Sequence, residues 1–276
     1  LRLVGSEMCI RDRRRTRGTC RTRGKKNGST QSNCLGLYYA NITYLDKPKI
    51  KYIAAMSHFH LIGLCETHLR GDELSKTLRT FRMSGWTPLA APASKSLHTE
   101  TGTHGGVIIL ARNHLAARLS VATNSDDGTY PSDCFAWQLV RTRGLRFKFA
   151  VAYFQHGICL TGDNLDIIQN ILDLTDHGRC HVLLYADFNM TPDDLIGTGI
   201  LTLLNMVLIH HPFASGTCRI PHPDAPDKTL DYIMCTSRLK PLLTDTRINY
   251  AVPWRPHYAI ELSLDTRPTS VRAVSY

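Results

Sequence analysis

The chain alternates short, wholly apolar runs with stretches whose apolar residues recur every three or four positions. The runs predict buried strands: LGLYYANI (Leu35 to Ile42), HLIGLC (His60 to Cys65), GGVIILAR (Gly105 to Arg112), HVLLYADFN (His181 to Asn189), LDYIMCTS (Leu230 to Ser237), INYAV (Ile248 to Val252) and YAIELSL (Tyr258 to Leu264). Continuous apolar runs of this length fit strands covered on both faces. CFAWQLVR (Cys134 to Arg141) and RFKFAVAYF (Arg146 to Phe154) flank Thr142-Arg143-Gly144-Leu145, a hairpin signal in which Gly144 supplies the turn. Asp126-Asp127-Gly128 reads as an exposed hairpin turn. Helical spacing covers Asp46 to Met56, which contains Pro48, and Asp72 to Met83, where Leu74, Leu78 and Phe81 share a face. It covers Asn164 to Asp176 as well, through Leu165, Ile168, Ile171 and Leu172. Thr191 as cap and Pro192 at the first helical position start a helix running to about Asn205, weakened by Gly197 and Gly199. Strands outnumber helices and the two are interleaved. That predicts one domain, an α/β sandwich with two sheets inside and helices outside.

Composition narrows the class. At 276 residues, 43% hydrophobic and 20% charged, the chain is neither a largely disordered polymer, a collagen nor a coiled coil. No apolar run approaches the roughly 20 residues of a membrane helix, so no membrane partner is expected. Nine cysteines are scattered without any C-x-x-C. Reduced, buried thiols in an intracellular protein, nuclear or cytoplasmic, are the expectation. His58-Phe59-His60 and His210-His211 have no acid or cysteine at zinc spacing beside them.

The net charge of +10 suggests nucleic acid until it is divided along the chain. Residues 1–33 hold ten Lys/Arg against two acids, a net +8, whereas residues 34–276 hold 23 against 21, a net +2. The first segment reads as a disordered basic tail. Within it, GSEMCIRDR (Gly5 to Arg13) resembles translated adapter sequence, so residues 1–13 are expected to be non-native. The start at Leu1 suggests a fragment of a longer product. Residues 267–276 read as a C-terminal tail.

The candidate chemistry lies where apolar strands deliver polar residues. LGLYYA delivers Asn41, LIGLC delivers Glu66, FKFAVA delivers Tyr153, and HVLLYA delivers Asp187 and Asn189. Asp231 opens the strand after Leu230, and His257 precedes YAIELSL. A carboxylate at the mouth of a buried strand needs a partner, a metal or water. Each residue alone has a structural explanation as a turn, cap or surface group. The ordered set has weight: Asn, Glu, Tyr, Asp-x-Asn, Asp, His.

The blocks YADFN, LDYI and PHYAIEL, in that order, resemble the endonuclease/exonuclease/phosphatase superfamily, nearest to abasic-site endonucleases and the endonucleases of LINE-type retrotransposons. The resemblance covers residues 34–266 and implies a four-layered α/β sandwich, two mixed sheets packed face to face. It implies a Mg²⁺-dependent phosphodiester hydrolase, with Mn²⁺ as an alternative, acting on nucleic acid, expectedly DNA. Glu66 would be the metal ligand, and Asn41 beside it would hold the metal site or a phosphate oxygen. Asp187 would align or deprotonate the attacking water, and Asn189, on the same face of an extended segment, would hold that water or the phosphate. His257 would donate to a phosphoryl oxygen, oriented by Asp231, and Tyr153 would bond a phosphate oxygen. His156, Arg141 and Arg143 are further phosphate candidates. The expected state is a monomer or a part of a retroelement polyprotein. In the family an acid usually precedes the closing histidine, whereas Arg255-Pro256-His257 stands here. That departure leaves two rivals: an impaired member serving as a binding module, and a phosphatase or sphingomyelinase-like phosphodiesterase, which the near-neutral body permits.

Overall fold

The computed structural model describes residues 34–95, 102–116, 132–142, 144–176, 179–209, 216–220 and 225–267. The basic tail, Arg143, the Asp126–Gly128 turn, His210-His211 and residues 268–276 lie outside them.

In chain order the elements are β1 (Cys34–Asn41), α1 (Lys47–Ala54), β2 (Leu61–Cys65), α2 (Gly71–Met83), β3 (Trp86–Ala91), the two-residue strands β4 (Ser94–Lys95) and β5 (Thr103–His104), and β6 (Val107–Arg112). Then follow α3 (Asn113–Ala116), β7 (Phe135–Arg141), β8 (Arg146–Tyr153), α4 (Asp163–Thr175) and β9 (Val182–Asp187). The chain continues with α5 (Pro192–Gly197), α6 (Ile200–Leu204), β10 (Met206–Ile209), β11 (Asp231–Thr236), β12 (Leu243–Asn249) and β13 (Ala259–Asp265). One sheet has the order β12-β13-β1-β2-β6-β3, the other β10-β11-β9-β8-β7. Each contains one parallel pair, β1 with β2 and β8 with β9, and is otherwise antiparallel. Both parallel pairs are joined through a helix, α1 and α4, as parallel connections require.

The strands are apolar on both faces because both faces are covered. On β1, Leu35, Leu37 and Tyr39 face the other sheet, where they meet the cluster of Phe149, Tyr185 and Ile233. Tyr38 and Ala40 point the other way, to Ile53 of α1 and Phe81 of α2. On β9, Leu183 and Tyr185 join the inter-sheet core, while Val182 and Leu184 pack with Ile167 and Ile171 of α4. Period-two alternation thus divides each strand between two cores, and the layers run helix, sheet, sheet, helix. The sheets meet closely at Gly63, where a Cβ would lie 2.4 Å from Val151 Cγ2. Among the cysteines, Cys65, Cys134 and Cys235 are buried thiols.

Three expectations change. The helix after Thr191 is two short helices, because Gly199 takes φ +75 and ends the first run. Asp193 and Asp194 lie in its first turn, and Thr191 and Asp194 form a reciprocal capping box. Trp86–Ala91 is a strand that the pattern did not show, an edge strand that tolerates Pro88. The penultimate strand is Leu243–Asn249, earlier than the INYAV run. It is an edge strand in which Thr244, Asp245 and Arg247 are exposed and only Ile248 is buried, so it lacks the unbroken apolar run of the central strands.

Candidate active site

The two parallel pairs end at the same edge of the sandwich. Asn41 is the last residue of β1 and pairs in register with Cys65, so Glu66 is the next residue out. Tyr153 and Asp187 are the last residues of β8 and β9 and are in register with each other. Asp231, at the start of the antiparallel β11, is in register with Asp187. Register gathers Asn41 with Glu66 at the end of one sheet and Tyr153, Asp187 and Asp231 at the end of the other, and side-chain bonds join the two groups.

Asp187 is buried. Its Oδ2 accepts from Asn41 Nδ2 at 2.8 Å and its Oδ1 from the Asn189 amide N–H at 3.0 Å. Asn41 Oδ1 in turn accepts from the Thr43 amide at 2.9 Å. His257 Nδ1 donates to Asp231 Oδ2 at 2.7 Å, and its Nε2 stands 3.8 Å from Asp187 Oδ2. Cys218 Sγ lies 3.8 Å from the same Nε2. Tyr153 hydrogen-bonds Glu66, whose carboxylate is only half-buried.

The electrostatics follow from burial. Burial, then the neighbouring Asp231, pushes the Asp187 carboxyl well above the usual range, against the opposing pull of His257, the Asn189 amide and Asn41. Burial pulls His257 down, but the Asp231 carboxylate, Cys218 and Asp187 outweigh it, and the imidazole is pushed up to about 12. It is therefore an imidazolium at neutral pH. The Tyr153 phenol is raised by burial and by Glu66, so it keeps its proton.

Two parts of this cluster could hold a cation. Asp187, Asp231 and His257 each offer a ligand atom within 4.8 Å of the others. Both oxygens of Asp231 and both of Asp187 already accept hydrogen bonds from the protein. Glu66 is bonded to Tyr153 and is the more exposed acid, which suits a hard cation that keeps part of its water shell. Asn41 is a poorer direct ligand than the sequence suggests, because its amide oxygen is taken by Thr43 and its nitrogen by Asp187.

Three other expectations need correction. Asn189 is not on an extended segment: it takes φ +50, and its Nδ2 donates to Phe154 O at 2.7 Å. Its side chain braces the β8 end, and its backbone N–H serves Asp187. Arg141 pairs in register with Arg146, at the far end of the hairpin from Tyr153. Seven residue-to-residue steps along the strand separate Arg146 from Tyr153, about 23 Å, so Arg141 does not reach the cluster, and Arg143 lies outside the described residues. His156 is exposed on the loop after β8, and none of the cluster's hydrogen bonds involves it.

The sequence reading missed Tyr39, Cys65 and Thr217. Tyr39 OH donates to Asp231 Oδ1 at 3.2 Å and lies 3.1 Å from Cys65 Sγ. A phenol has one proton, so with Asp231 as its acceptor the Cys65 S–H donates to Tyr39. Thr217 Oγ1 accepts from the Leu230 and Asp231 amides, and its carbonyl accepts from Tyr258 N–H, so one residue pins the approaches to both Asp231 and His257. Tyr39 was detectable, since it stands two residues before Asn41 and so faces the same way. Thr217 left no periodic signal.

No family model and no curated protein matches this sequence. Solved structures do match in fold. The abasic-site (AP) endonuclease LMAP from Leishmania major superposes with a TM-score of 0.69 at 12% identity, covering 85% of this chain and 88% of that one. The endonuclease domain of TRAS1, a telomere-specific non-LTR retrotransposon, gives 0.58 at 13% identity, with 83% and 98% covered. An endonuclease/exonuclease/phosphatase family protein from Leptotrichia buccalis gives 0.59 at 16% identity, with 83% and 99% covered. With two mixed sheets layered between helices, the chain has the fold of the endonuclease/exonuclease/phosphatase proteins.

Proposed function

We propose that the chain is a metal-dependent phosphodiester hydrolase acting on DNA, an endonuclease of the retroelement or abasic-site kind. The observation that carries this reading is the convergence of Asn41, Glu66, Tyr153, Asp187, Asp231 and His257 at one sheet edge, with a buried imidazolium held between two carboxylates. The fold shared with an AP endonuclease and a retrotransposon endonuclease domain supports the substrate class. Residues 34–266 would form the hydrolase domain, acting as a monomer or within a polyprotein, in the nucleus or cytoplasm.

Glu66 would hold Mg²⁺ or Mn²⁺, which when bound neutralises charge on the phosphate. Asp187, held by Asn41 and the Asn189 amide, would orient the attacking water and take its proton at Oδ2. The neighbouring His257 imidazolium favours the ionised form of Asp187, which is the form that can accept this proton. His257 would donate from Nε2–H to a phosphoryl oxygen as negative charge develops. Asp231 fixes the ring through Nδ1. Tyr153, which keeps its proton, would turn its single O–H from Glu66 to a second phosphate oxygen.

Nicking of supercoiled plasmid in Mg²⁺, with Glu66→Ala as control, tests the reading. Nicking is expected from the parent chain and not from the control. Equal conversion by both removes the hydrolase claim. Pro256 favours one second reading, an impaired member that binds without cutting. Its backbone carbonyl accepts from Arg219 N–H at 2.9 Å, but it supplies no carboxylate beside His257. A large gain in nicking by Pro256→Asp would support that reading.

A further inference from the structure

The loops that follow β1 and β2 carry two aromatic rings that the hydrolytic cluster does not use. Tyr44 is three residues past Asn41 and is 48% exposed. His68 is two residues past Glu66. The ring centroids are 6.4 Å apart and tilted by 46°. Single exposed tyrosines are ordinary on protein surfaces, but this one is held in an unusual way. Its backbone takes φ +97, a region where a bulky side chain is strained and glycine is at ease. The surroundings enforce that conformation from several sides. Tyr44 N–H donates to Glu66 O at 2.8 Å, and Lys49 Nζ donates to the carbonyls of Ile42 at 2.9 Å and Tyr44 at 2.7 Å. The next residue, Leu45, is buried and its N–H donates to Thr67 O at 3.1 Å. His68 takes φ +57 and is fixed through Nδ1 to the Thr103 carbonyl at 2.7 Å. Strain that is over-determined by neighbours and placed next to a reaction centre is the pattern expected of a positioned contact group.

Tyr44 is also one wall of a groove of about 990 Å³ between α1 and α2. Lys47, Lys51 and Lys76 line that groove together with the acids Asp46 and Glu73, Asp46 being bonded to the Lys49 amide N–H as the cap of α1. An aromatic face beside a lysine-lined path is what a single nucleic-acid strand uses, since every base has a π-face and every linkage a negative charge. The body's net charge of only +2 gives duplex DNA little non-specific attraction, so stacking has more to contribute.

We propose that Tyr44, backed by His68, is a nucleobase-stacking subsite beside the hydrolytic centre, and that the substrate is presented there with an unpaired nucleotide next to the scissile phosphate. This rests on the hydrolase reading for its location and not for its test.

The test is equilibrium binding of a fluorescein-labelled oligothymidylate to the full chain in EDTA, followed by anisotropy, beside a duplex of equal length. Tyr44→Ala is expected to weaken the single strand about tenfold, with little change for the duplex, and Tyr44→Phe and Tyr44→Trp to restore it. Tyr44→Gly is expected to weaken it equally while raising the melting temperature, because it relieves the strained φ. Equal single-strand affinity in the parent and Tyr44→Ala, or no rescue by Phe and Trp, overturns the subsite, as does a parent chain that does not bind the single strand. Hydrolysis is not needed for any of these readings. Ring-dependent binding without plasmid nicking would sink the hydrolase reading and keep the subsite, and nicking with ring-independent binding would do the reverse.

Discussion

The two ends of β8 make opposite use of polar residues. At its C-terminal end, Tyr153 meets Glu66 and Asp187 among buried partners, and the neighbouring groups titrate far from their ordinary values. At its N-terminal end, Arg146 is exposed opposite Arg141 across an ordinary hairpin closed by Thr142 and Leu145. The backbone differs as well. Of the eight non-glycine residues with positive φ among the described residues, five (Thr43, Tyr44, Glu66, His68 and Asn189) lie in the loops after β1, β2 and β9. Both ends carry charge, but one end holds it in water and the other holds it against protein. Charge alone therefore does not mark a site. Desolvation with specific partners does.

The sharpest way to break this contrast is at the buried end. Asp187→Asn and His257→Ala should each lower single-turnover nicking by about 10²–10⁴-fold, the range for a positioned acid or base. A loss below tenfold in both would make the cluster structural. Tyr39→Phe keeps the ring and removes the O–H to Asp231 together with the acceptor of the Cys65 S–H. It should lower kcat about 10–100-fold with KM unchanged, as for other groups that orient a reacting side chain. A change confined to KM would contradict that role.

The pH dependence of stability sharpens the comparison further. The His257 imidazolium has its folded pKa raised, so its contribution is complete below the ordinary value of 6.5 and is lost as pH rises toward about 12. Between pH 7 and 9 the parent chain should lose stability relative to His257→Gln by about 1.4 kcal/mol per pH unit, in denaturant titrations at each pH. Parallel profiles for the two proteins would show that the imidazole is not charged in the fold. The smallest effect belongs to the hairpin end. Arg141→Ala and Arg146→Ala should stay within about 0.5 kcal/mol in stability and about twofold in nicking. A large loss of nicking by either would place substrate at the wrong end of the sandwich.

Strand and helix identities were legible because period and length govern them: short unbroken apolar runs rich in β-branched and aromatic residues fit strands covered twice, and Asp46, Pro48, Thr191 and Pro192 stand at helix starts. Edge strands escaped where solvent on one side dilutes the pattern, as at Leu243–Asn249 and at Trp86–Ala91, whose residues are in part exposed and include Pro88. The order Asn, Glu, Tyr, Asp, Asp, His was visible because each residue ends or begins an apolar run. Arg141 was misassigned because a run of basic residues in sequence says nothing of which end of a strand it occupies.

The sequence by itself determined which side chains are delivered to strand ends, since alternation and apolar length are local properties of the chain. Only the tertiary structure decided which ends coincide. The parallel pairs β1–β2 and β8–β9 bring residues from opposite halves of the chain to one edge, 146 positions apart in the case of Asn41 and Asp187. Bonds such as Thr217 to Asp231 and Tyr39 to Asp231, and the burial that retunes Asp187 and His257, exist only once two sheets exclude water between them.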